Sequence, residues 1–193
     1  MAAYPVVGTR GSEYGSADHG WLKLFGGGTA DMPAFLDLMT SGLRAGMCAI
    51  DVLGGVFALN WGAFPGAHHR IWYWAPATLA WLECGEWTHF DLVWSALTGG
   101  LDRFYEDLRW PGWQDDVAQL DADQGYTLMP QPFSVEGRDV ALSHKAVVPM
   151  AEICRVMYMF TGPGGVFDGT SDRYPMFWLR GPHARPDIDR FTD

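Results

Sequence analysis

The sequence has few cysteines, few cations and no long apolar run, and each shortage excludes something. Three cysteines, Cys48, Cys84 and Cys154, are an odd number at wide spacing. No C-x-x-C occurs, so neither a zinc knuckle nor a thioredoxin-like pair is supported. Such thiols read as small buried hydrophobes in a reducing compartment. With 13 Lys and Arg against 23 Asp and Glu, the formal net charge is −10. That field repels a phosphate backbone and an anionic bilayer surface, which argues against nucleic-acid and membrane partners. No apolar run reaches the roughly 18 residues of a membrane span. Met1 to Gly20 has no apolar core of signal-peptide length, so a cytoplasmic location is expected.

Chemical motifs are missing too. The Gly26-Gly27-Gly28 triplet lacks the context of a phosphate loop or a dinucleotide fingerprint. The six histidines form no H-E-x-x-H or H-x-H pattern, and no G-x-S-x-G elbow is present. Cys84, between Glu83 and Glu86, sits where acidic neighbours raise a thiol pKa. The expectation is therefore no cofactor, no resident metal and no catalytic residue.

Aromatic residues are abundant: 15% of the 193 residues, including ten Trp. Aromatic side chains bury large areas and also anchor interfaces, so they fit a dense core, a binding face, or both. A chain of this length buries enough surface to fold without staples.

The apolar pattern predicts strands at 21–25, 47–52, 56–59, 70–74 and 79–82. Gly54-Gly55 makes a tight turn, and Asn60 to His69 forms a loop. That series is the signature of an antiparallel meander. Asp31 and Pro33 open a helix whose face carries Phe35, Leu36, Met39 and Leu43. Thr88-x-x-Asp91 has the form of a capping box, and Phe90, Val93, Trp94 and Leu97 follow at helical spacing. Gly99-Gly100 ends that helix. Leu101, Phe104, Tyr105 and Leu108 predict a second helix, packed with the first as a corner over the sheet. Pro111 opens a third, burying Trp113, Val117 and Leu120. Residues 126–135 read as extended, and Lys145–Met159 as a last helix. The fold class expected is α+β, with helices packed on one face of the sheet. The domain limits expected are a flexible arm at 1–17, one domain at 18–160 and an irregular extension at 161–193, where Tyr174–Trp178 forms an aromatic patch.

The candidate site residues are Asp51, Asn60, Trp61, Trp72, Glu106, Asp107, Trp110 and Trp113. A carboxylate beside a Trp, such as Glu106 near Trp110, can be held protonated and act as an acid, but acidic residues more often simply face water. Asp51 and Asn60, flanking Gly54-Gly55, can instead satisfy turn backbone. Trp72 and Trp74 share one strand face and Tyr73 takes the other.

Several of these segments are familiar together. Asp18-His19-Gly20-Trp21-Leu22, the run Asp51 to Asn60, the run Phe104 to Trp113, Asp123-Gln124-Gly125 and Val148 to Glu152 resemble an uncharacterised bacterial family, domain of unknown function 2625, over about residues 18–155. Trp61 stands where the family pattern has a small residue. At the level of fold, the order of elements also resembles the SUKH superfamily, with its Smi1/Knr4-like and toxin-immunity proteins. That likeness implies a SUKH-like fold and a non-catalytic protein-binding role of immunity or adaptor type; a basic protein partner is compatible with the negative charge but not implied by it. The alternative is a small hydrolase or small-molecule-binding module using Asp51, Asn60 and the Glu106-Asp107 corner.

Overall fold

A computed structural model describes residues 15–25 and 45–161, with side chains described as far as residue 157. The helix expected at 31–43, the first 14 residues of the arm and the extension beyond 161, including Tyr174–Trp178, lie outside the described residues.

Six strands form one antiparallel sheet in chain order: β1 (Gly15–Ala17), β2 (Leu22–Leu24), β3 (Ala45–Asp51), β4 (Val56–Asn60), β5 (Ile71–Ala75) and β6 (Ala80–Glu83). This is the expected meander. Strand pairing already begins at Gly15, inside the segment expected as an arm. Between Met47 and Ala49 the register of β3 on β4 shifts, so Cys48 is the extra residue of a bulge. A second, two-stranded sheet pairs β7 (Gln124–Met129) with β8 (His144–Pro149). The helices are α1 (His89–Thr98), α2 (Trp113–Val117) and α3 (Met150–Thr161). The architecture is α+β.

Strand alternation makes two cores. Phe57, Ile71 and Tyr73 point to one face and pack with Leu92 and Ala96 of α1, Trp113 and Val117 of α2, and Leu101, Tyr105 and Trp110. Ile50, Val56 and Trp74 point to the other face, against Met150, Ile153, Cys154 and Met157 of α3. The helices are thus shared between both faces instead of lying on one.

Three sequence expectations change. Residues 101–108 form successive turns, not a helix, although Tyr105 and Arg109 still donate backbone hydrogen bonds four residues back. Gly99, left-handed at φ 77°, and Pro111 bracket the stretch, and Tyr105 is drawn to Asp51 of β3 by its hydroxyl. The buried set Leu101, Tyr105 and Leu108 is nevertheless the one the spacing picked out. Lys145–Pro149 is strand β8, and the last helix starts only at Met150. Ala146-Val147-Val148 suits a strand as well as a helix, and pairing with β7 decides it. Finally, α1 turns Leu92 and Ala96 to the sheet and leaves Phe90, Trp94 and Leu97 in solvent, 63%, 52% and 52% exposed.

Lys23 ties the two sheets together. It is buried on β2 and its Nζ donates to the carbonyls of Asp121, Ala122 (2.7 Å) and Gln124. Tyr126 N donates to Val52 O at 2.7 Å across the same junction. A Cβ at Gly125 would strike that Val52 carbonyl, so only glycine lets β7 approach so closely.

Candidate functional site

Six of the eight candidate residues fall into three groups. The first surrounds Asp51, at the end of β3 and fully buried. Its Oδ1 accepts from the backbone N–H groups of Leu53 (2.9 Å) and Gly55 (2.8 Å), closing the Gly54-Gly55 turn. Its Oδ2 accepts from the hydroxyls of Tyr73 (2.7 Å) and Tyr105 (3.2 Å). Four donors match the acceptor capacity of a carboxylate. Burial still dominates and pushes the Asp51 carboxyl up to about 6, with the four hydrogen bonds pulling the other way. Burial and the Asp51 charge together hold both tyrosine hydroxyls well above their usual pKa. A Cβ at Gly55 would strike the Asp51 carboxylate and the Tyr73 hydroxyl, which is why glycine stands there.

Asn60, also fully buried, does the same for the next loop. Its Oδ1 accepts from Gly62 N (2.8 Å) and Phe64 N (3.1 Å), and its Nδ2 donates to Phe64 O (3.1 Å) and Ala67 O (3.2 Å). Both residues satisfy turn backbone, the use the sequence left open for them. The loop carries half-buried Trp61, edge-on to His69 at 4.3 Å, and Phe64, stacked on Trp72 at 4.8 Å. Trp72 lies on the face of Trp74, and Tyr73 on the other, as alternation requires.

The third group is an aromatic knot. Trp21, in the turn before β2, is fully buried. It meets Tyr105 (5.4 Å), Trp110 (5.6 Å) and Trp113 (5.2 Å, edge-on). Trp110 Nε1 donates to Asp116 Oδ2 at 2.6 Å. Arg109 threads between the rings, its guanidinium 4.1 Å from Trp113, 5.0 Å from Tyr105 and 5.2 Å from Trp21. It forms ion pairs with buried Asp18 and with Asp102 at 2.8 Å. Burial nevertheless raises the Asp18 carboxyl, against the opposing pull of Arg109. Trp110 and Trp113 are therefore core residues, 4% and 9% exposed, and not a surface for contact.

Glu106 and Asp107 are exposed, whereas Asp51 and Asn60 are buried with their polar atoms engaged. The four do not meet in one concave site. A recess lined by Leu53, Tyr126, Leu128, Gln131, Ile153 and Met157 holds about 10 Å³, room for about one water. Among the described residues no group of three His, Cys, Asp or Glu is placed to hold a metal ion. Nor, among them, is any helix long and apolar enough to cross a membrane. The three cysteines are free thiols. Burial pushes Cys84 up to about 12, with Glu83 contributing second, and raises Cys48 and Cys154 as well.

Sequence reasoning missed Arg109, Tyr73 and Lys23, each of which holds a junction. Arg109 lies inside the motif 104–113, and its position between two Trp was the available signal. It also missed the solvent face of α1. There the signal was an apolar set on both sides of the helix, Leu92 and Ala96 as well as Phe90, Trp94 and Leu97.

The family model described as "Protein of unknown function DUF2625" matches residues 14–153. "Putative uncharacterized protein YbfG" of Escherichia coli (strain K12) is 40% identical over 128 residues, 61% of this chain and 58% of the relative. An "Uncharacterized protein" of Haemophilus influenzae (strain ATCC 51907 / DSM 11121 / KW20 / Rd) is 35% identical over 121 residues, 58% of this chain and 53% of the relative. The chain thus spans a little over half the length of these curated relatives. No solved structure matches.

Proposed function

The chain belongs to the DUF2625 family, and from that premise we propose that it is a non-catalytic protein-binding domain of immunity or adaptor type, with residues 18–160 as its working unit. One observation carries this reading: the apolar stripe of α1 faces solvent. Phe90 and Trp94 stack one turn apart at 6.2 Å and 16°, and Leu97 continues the row. A contiguous apolar patch with a large aromatic at its centre is the usual form of a protein contact. The contact residues are Phe90, Trp94 and Leu97, with Glu106 and Asp107 among the exposed acids of the loop that follows α1. The alternative, a small hydrolase or small-molecule module, requires a free carboxylate in a concave site. Asp51 instead gives its acceptor capacity to the fold, and Glu106 and Asp107 stand in open solvent.

The test is affinity capture with the tagged chain, followed by mass spectrometry. A stoichiometric partner held by the wild type and by Trp72→Ala, and lost on Phe90→Ser with Trp94→Ser, is the expected result. No partner, or one held equally by the double variant, would overturn the reading.

A further inference from the structure

We draw no further inference here: the strongest candidate, the exposed apolar ridge of Phe90, Trp94 and Leu97 on α1, belongs to the surface already described, and nothing in the structure shows what covers it.

Discussion

Asp51 shows how one side chain can fasten three segments. It joins its own turn to β5 through Tyr73 and to the 101–108 turns through Tyr105. The cost is a buried carboxylate whose charged form the fold disfavours. Its folded pKa of about 6 lies above the ordinary 3.8, so this group favours folding most below pH 4. That contribution is lost as pH rises through about 6, a difference of roughly 3 kcal/mol between the two ends. Asp18, raised in the same direction, adds to the slope. Denaturant melts of Asp51→Asn and wild type between pH 4 and 7 should therefore differ in slope, with the wild type losing more stability as pH rises. Equal slopes would mean that Asp51 does not titrate in this range. Tyr73→Phe should destabilise at pH 7 by about 1–3 kcal/mol, because it strips a donor from a buried carboxylate.

At the scale of the element, α1 separates stability from surface. Its capping box is complete: Asp91 Oδ2 accepts from Thr88 N at 2.8 Å, and Thr88 Oγ1 accepts from Asp91 N at 3.4 Å. Thr88→Ala should cost about 1 kcal/mol in urea unfolding. Phe90→Ser with Trp94→Ser should stay within about 0.5 kcal/mol per site, because these side chains already face water. Trp21→Ala, which empties the centre of the aromatic knot, should cost about 3–5 kcal/mol. An equal loss for the α1 double variant and for Trp21→Ala would show that the ridge is covered in solution.

The two sheets behave as one body only if their junction holds. Lys23 supplies three donors to the chain just before and at the start of β7, and burial pulls its pKa down to about 8. Lys23→Met keeps the packing volume but leaves buried carbonyls unpaired, for an expected loss of about 1–3 kcal/mol. Amide exchange should quicken first in β7 and β8, the elements this clamp holds. Uniform quickening across both sheets would instead mean that the junction is not a separate unit.

The amino-acid sequence by itself determined the meander, because glycine turns and alternating strands are local features. It also determined the capping box of α1 and the uses open to Asp51 and Asn60. The family motifs were legible because they are short and ordered along the chain. Other features depended on partners distant in sequence. Lys145–Pro149 became a strand because β7 lies beside it. Residues 101–108 became turns whose Tyr105 reaches back to Asp51. Trp110 and Trp113, read as contact residues, went into the core because Trp21, some ninety residues away, packs on both. In α1 the apolar residues surround the helix, so periodicity alone could not choose a face. The sheet buried the smaller pair, Leu92 and Ala96, where a close approach leaves little room, and turned the bulky Phe90 and Trp94 outward. Only tertiary packing could make that choice.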